Sequence, residues 1–184
     1  MAAKTVLITG CSAGGIGSAL VLSFQRRGYT VYATARSLEK MADLVSLPNV
    51  YLLELDVTSP SSIISVAKEL EGRTGGTLDV LINNAGQQYI MPVLDVDIET
   101  AKNLFEVNYW GPLRTIQAFS TMLIRARGCI VNIGSAAGVL TIPMQSKWLQ
   151  PGHRELLTVL EVNITPPKQQ SIRCRKLFVS NLGL

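Results

Sequence analysis

Two short stretches hold the residues best placed for chemistry. The first, TGCSAGGIG at 9–17, follows an apolar β-branched run and opens an amphipathic one. Glycines in that context let a backbone approach a pyrophosphate closely, and the helix that starts after them offers free N–H groups to negative charge. A tight strand-to-helix turn with no ligand uses the same residues. The second stretch, IVNIGSAAG at 130–138, puts Ser135 on a glycine-flanked turn after an apolar strand. A hydroxyl there can orient a carbonyl group, or it can be an ordinary serine at a strand end.

A serine that orients a carbonyl needs a proton donor nearby. The five tyrosines, Tyr29, Tyr32, Tyr51, Tyr89 and Tyr109, all precede Ser135, and none has a lysine four residues on. His153 is the only histidine, and an ordinary pKa of ~6.5 suits proton transfer. It follows Pro151-Gly152, where helical spacing breaks down, so nothing in the sequence positions it.

A third clue sits between these stretches. In a dinucleotide site the residue closing the second strand reads the adenosine ribose: an acid prefers the 2′-hydroxyl, an arginine a 2′-phosphate. ATAR at 33–36 places Arg36 there and no carboxylate. That favours NADP over NAD, against the alternative of a merely solvated arginine.

The elements that must hold these residues alternate short β-branched runs with amphipathic segments, the pattern of βαβ units and a parallel sheet. KTVLITG (4–10) is the first strand. The helix after it carries Ile16, Leu20 and Phe24 at helical spacing and stops at Gly28. TVYATA (30–35), a helix over 37–46, VYLLELDV (50–57) and a helix opened by Ser59-Pro60 follow. LDVLINNAG (78–86) is apolar on both faces, as a central parallel strand should be. A long helical stretch over 98–127 leads to CIVNIGS (129–135). Beyond Ser146 the pattern degrades. Residues 154–163 read as a short helix ended by Pro166-Pro167, and 172–179 as a strand.

Length and composition bound the rest. At 184 residues and 47% hydrophobic, the chain suits one domain with a sizeable core. No apolar run approaches the ~18 residues of a membrane span, and the N-terminus lacks a secretory apolar core. The expectation is a cytoplasmic protein. Cys11, Cys129 and Cys174 are too far apart for a CxxC pair, so neither a disulfide framework nor a metal site is expected. The net charge of +4 comes entirely from residues 147–184, with six basic and two acidic residues; the eleven basic and eleven acidic residues before them cancel. Nucleic acid is therefore not expected as a partner.

Taken together, Thr9, Gly10, Gly15, Ile16 and Gly17, Asp56-Val57 after the third strand, NNAG (83–86) after the fourth, Asn108 in VNYWG, and IVNIGSAAG resemble the short-chain dehydrogenase/reductase family over about residues 4–146. TGCSAGGIG, ATAR and LINNAG are most similar to its fungal NADPH-dependent 1-acyldihydroxyacetone phosphate reductase branch. The glycine turn is one residue longer between Gly10 and Gly17 than the common TGxxxGIG pattern, which leaves open whether Gly14 or Gly15 faces the pyrophosphate.

The resemblance implies an α/β fold: a Rossmann-type doubly wound parallel sheet, C-terminally incomplete, with a NAD(P)-binding domain over 1–146 and a divergent basic tail over 147–184. It implies NADP(H) as cofactor and hydride transfer to a small-molecule ketone or acyl-ketone, or from the corresponding alcohol, in lipid metabolism. It further implies a cytoplasmic place, peripheral to the endoplasmic reticulum or lipid droplets, and a homo-oligomer, which the lost helix makes doubtful here. Residue by residue, Gly10, Gly15, Ile16 and Gly17 would surround the pyrophosphate, and Arg36 the 2′-phosphate. Asp56 and Val57 would meet the adenine, and Asn84, Ala85 and Gly86 the adenosine side. Ser135 would bind the substrate carbonyl. Asn108 would hold a water in a proton relay, or simply cap a bend in a long helix.

The family's proton donor is a tyrosine thirteen residues after the serine, with a lysine four residues beyond it that lowers its pKa from ~10. Counted from Ser135, those places hold Trp148 and Gly152, and neither side chain can titrate as required. The family pattern and the charge balance thus break together near Ser146. A retained intron, a shifted frame or a recombined exon would explain both, and predicts related messages that encode tyrosine and lysine at these two positions. The alternatives to an active reductase are a non-catalytic dinucleotide-binding protein and a non-functional product. Losing the later elements would leave strands four and five with exposed apolar surface and unpaired backbone, some of which the tail could mask, and with them low stability and weak cofactor affinity.

Overall fold

The computed structural model describes residues 3–134, 157–164 and 170–176. Its sheet has the order β3-β2-β1-β4-β5-β6-β7. The first five strands are β1 (Thr5–Thr9), β2 (Thr30–Ala35), β3 (Val50–Glu54), β4 (Val80–Asn83) and β5 (Cys129–Ile133), all pairing in parallel. Strand order reverses between β1 and β4. Side chains alternate across the sheet, and both faces are buried, as the continuous apolar runs require. On one face Leu7, Leu53 and Leu81 pack with Ile63, Leu70 and Phe119. On the other Val6, Ile8 and Ala33 pack with Val21, Met41 and Leu44.

Helix α1 (Ile16–Arg26) belongs to the second face. Of its three expected core residues, Leu20 and Phe24 pack there, but Ile16 is 61% exposed. Ile16 instead lines the cleft described below. The helix expected over 37–46 is instead a 3₁₀ segment, Leu38–Leu44, kinked at Met41 with φ −118 and ψ 22. Fully buried Met41 and nearly buried Leu44 hold it down, and so short a connection closes more readily in the tighter 3₁₀ form.

Helix α2 (Pro60–Thr74) starts where Ser59 accepts a hydrogen bond from the Ser62 N–H, has proline in its first turn, and ends at left-handed Gly75. The predicted long helix is three pieces: α3 (Ile98–Phe105), a π-helical turn over Glu106–Trp110, and α4 (Gly111–Ala126). Gly111 lets α4 close on the segment after β3, since a Cβ there would stand 3.0 Å from a Val57 methyl.

Two expectations about the C-terminal part are corrected. Residues 157–164, read as part of a helix over 154–163, form strand β6 (Leu157–Ile164), and β7 (Gln170–Lys176) follows. LEVNI at 160–164 alternates with period two, and antiparallel partners at Cys129↔Glu161 through Ile133↔Leu157 complete the choice. For the same reason the far edge of β5 is paired rather than open. Residues 135–156, 165–169 and 177–184 lie outside the described set, and with them the proposed boundary at 146 and the Pro166-Pro167 stop. Among the described residues no helix is long and apolar enough to cross a membrane.

Candidate functional site

A cleft of about 720 Å³ opens at the carboxyl ends of the parallel strands and takes in Gly10, Ile16, Arg36, Asp56, Asn84 and Gly86. In open α/β sheets the crevice at the point where strand order reverses is where ligands bind, and pockets of ~300–1,000 Å³ suit small molecules. These six residues come from four segments distant in sequence, which reach this one place because each follows the end of a strand, β1 to β4.

The glycine turn is shaped by close approach. Gly10 has φ +73, and a Cβ on it would lie 2.7 Å from the Ala85 Cα. A Cβ on Gly17 would lie 2.4 Å from the Gly10 carbonyl oxygen and 2.9 Å from the Cys11 Cα. At Gly10 and Gly17 the turn therefore has no space for a side chain, and at Gly10 it lies against the loop after β4. Gly14 takes the left-handed conformation at φ +72, and Gly15 is the N-cap of α1 at φ −93. No side chain caps this helix, so its first N–H groups stay available to an anion. The Cys11 N–H donates to the Thr34 carbonyl at 2.8 Å and the Ala13 N–H to the Lys40 carbonyl at 2.7 Å, which fasten the turn to β2 and the 3₁₀ segment.

Thr9 and Asn84 lock the two central strands together. Thr9 Oγ1 accepts from the N–H groups of Asn84 and Ala85, each at 3.0 Å. Asn84 Nδ2 donates to the Thr9 and Gly10 carbonyls at 2.8 and 3.0 Å. The Asn84 amide nitrogen is thus committed to holding the turn. Thr9 stood in the quoted motif without a role. A hydroxyl immediately before the first glycine was the available signal.

At the adenosine end, Ala35, Arg36, Lys40, Asp56 and Val57 line the cleft. Asp56 Oδ1 accepts from the Thr58 N–H at 2.9 Å and its hydroxyl at 2.7 Å. That bond fixes the carboxylate and leaves its other oxygen without a protein donor among the described residues. Arg36 and Lys40 are exposed and join none of the ion pairs among the described residues. Glu106, also in the lining, is paired to Arg114 at 2.7 Å.

Asn108 sits in the π-helical turn, a departure from regular helix that recurs at functional sites. Its Oδ1 accepts from the Gln87 N–H and its Nδ2 donates to the Gln87 carbonyl, both at 2.8 Å. Its side chain holds the loop after β4 directly behind Gly86. Deeper, Asn83 Nδ2 donates to Asn132 Oδ1 at 2.8 Å, and the Thr115 hydroxyl lies 2.7 Å from Asn83 Oδ1. This chain links α4, β4 and β5 and sets the end of β5, from which the chain runs to Ser135. Ser135, Trp148, Gly152 and His153 lie outside the described residues. No group of three or more His, Cys, Asp or Glu is placed to hold a metal ion among the described residues.

These residues suit a dinucleotide. Gly10 and Gly17 let the turn close tightly on the loop after β4, the helix end is uncapped, and the adenosine end carries cations outside any ion pair among the described residues. Comparison with known proteins agrees. The short chain dehydrogenase family matches residues 4–148. The chain is 55% identical over 149 residues to the short-chain dehydrogenase ptmH of Penicillium ochrochloron, covering 81% of this chain and 54% of that one. It is 47% identical over 134 residues to the NADPH-dependent 1-acyldihydroxyacetone phosphate reductase of Schizosaccharomyces pombe, covering 73% and 45%. Among solved structures it resembles the alcohol dehydrogenase of the archaeon Thermococcus sibiricus complexed with 5-hydroxy-NADP, at 31% identity and a TM-score of 0.72 over 80% of this chain and 65% of that one. The chain spans about half the length of the curated relatives it matches.

Proposed function

From the premise that this chain belongs to the short-chain dehydrogenase family, we propose that its cleft holds NADPH and that the chain descends from a reductase of ketone or acyl-ketone substrates in lipid metabolism. The observation that carries this reading is the cleft itself: a glycine turn with Gly10 and Gly17 in close backbone contact, an uncapped helix end and unpaired Arg36 at one place. When bound, the nicotinamide supplies hydride to a carbonyl carbon.

The chain's own residues do the rest. Thr9 and Asn84 hold the glycine turn in the shape that admits a pyrophosphate. Arg36 receives the 2′-phosphate, and Asp56 and Val57 border the adenine. Asn108, through Gln87, fixes the loop carrying Ala85 and Gly86. Ser135 orients the carbonyl oxygen.

Proton delivery is the weak point. Trp148 and Gly152 occupy the places of the family's tyrosine and lysine, and proton donation is worth ~10² to 10⁴ in rate. The chain as written binds cofactor and reduces substrate slowly at most, which is also the behaviour of a binding protein that has left catalysis.

The test is NADPH titration by fluorescence, followed by turnover of a medium-chain acyl-ketone by the chain and by its Trp148→Tyr/Gly152→Lys variant. Binding with slow turnover, raised ~100-fold in the variant, is expected. Absence of NADPH binding sinks the reading. Binding without any gain in the variant sinks the assignment of the missing donor.

A further inference from the structure

We infer that Lys40 is a second determinant of 2′-phosphate recognition, acting beside Arg36 to form a two-cation cradle at the adenosine end of the cleft. The inference rests on the NADPH reading above and names a residue that periodicity alone assigned to an ordinary helix.

Position comes first. Lys40 lines the same cleft as Arg36 and Ala35. Its backbone is held at both polar groups: the carbonyl accepts from the Ala13 N–H of the glycine turn at 2.7 Å, and the N–H donates to the Ser37 carbonyl at 3.2 Å. The next residue, Met41, is fully buried. The backbone that carries the ammonium is therefore fixed relative to the turn that would hold the pyrophosphate, and only the side chain remains free to adjust. The 3₁₀ geometry and the kink at Met41 decide its placement.

Charge comes second. Neither Arg36 nor Lys40 joins an ion pair among the described residues. The neighbouring acids Glu39 and Asp43 are outside the cleft lining. Of the acids in the lining, Glu106 is paired with Arg114, while Asp56 keeps its charge with one oxygen held by Thr58. Arg36 and Lys40, neither in an ion pair among the described residues, outweigh that one carboxylate and leave the end of the cleft beside Ala35 net positive. Arginine offers a planar fork that suits phosphate oxygens, and lysine adds a mobile point charge.

The test compares the full chain with Lys40→Ala, Lys40→Arg and Arg36→Ala, measuring dissociation constants for NADPH and NADH at two salt concentrations. An exposed cation facing a dianion predicts ~10-fold weaker NADPH binding for Lys40→Ala, NADH binding within about twofold of the parent, near-complete recovery in Lys40→Arg, and a shallower salt dependence. Equal losses for the two cofactors overturn the inference, as does unchanged NADPH affinity. If Arg36→Ala alone abolishes the preference for NADPH, Lys40 is excluded while the NADPH reading stands. If the parent chain binds NADH as tightly as NADPH, both fall together. Circular dichroism of each variant verifies folding, which an exposed side chain should not disturb.

Discussion

Gly17→Ala tests whether the glycine turn is built by contact or merely by flexibility. The added Cβ would stand 2.4 Å from the Gly10 carbonyl oxygen, 2.7 Å from Asn84 Nδ2 and 2.9 Å from the Cys11 Cα. None of these can yield cheaply. Gly10 is pressed on Ala85, Asn84 is tied to two carbonyls, and Cys11 is bonded to β2. Relief must come from α1 backing away, at the ~1–3 kcal/mol typical of overpacking, or ~2–12 °C in melting temperature for a chain of this size. Gly14→Ala is the control: it has φ +72 but nothing within 4 Å of a Cβ, so it costs ~1–2 kcal/mol of backbone strain without moving the helix. Thermal melts followed by dinucleotide titration separate the two. Both variants should lose stability, while only Gly17→Ala should lose ~10-fold or more in NADPH affinity, because only it displaces the N–H groups at the helix end. Equal affinities for the two variants would refute the reasoning.

Thr9→Val removes the oxygen that accepts from Asn84 and Ala85 and should cost ~2–4 kcal/mol in urea unfolding, with Thr9→Ser restoring most of it. Burial, as the dominant cause, pushes the Cys11 thiol from 9.0 up to about 12. The folded state holds that proton longer, so the contribution is intact below about pH 9 and is lost as pH rises through about 12. Stability should fall by up to ~1.4 kcal/mol per pH unit in that window, and Cys11→Ala should flatten the slope. The Thr100 hydroxyl, then its N–H, hold the Asp97 carboxylate below its ordinary value of 3.8. Its cap on α3 is therefore present above that value and lost as pH falls through the lower folded value, read as faster amide exchange at Thr100 in acid.

Much of this protein is fixed by local pattern. The short, mostly apolar runs of β1, β2 and β4 follow from which residues pack on a pleated surface buried on both sides. The glycine turn is legible because φ near +73 at Gly10 demands that residue type, and Arg36 because it ends a recognisable strand. That Trp148 and Gly152 stand thirteen and seventeen residues after Ser135 is legible only by counting along the sequence. What the sequence could not supply is whatever depends on partners far along the chain. LTVLEVNI satisfies a helix and a strand locally, and the free hydrogen-bonding edge of β5 selects the strand. Residues 38–44 carry helical spacing, yet burial of Met41 and Leu44 against β2 tightens them into 3₁₀ form and brings Lys40 to the cleft. Asn84 and Asn108 are both asparagines in recognisable motifs, but only the crossing of β1, β4 and the π-helical turn shows that they grip backbone. Backbone donors and acceptors must be paired when chain segments close on one another, and which segments meet is decided by the fold.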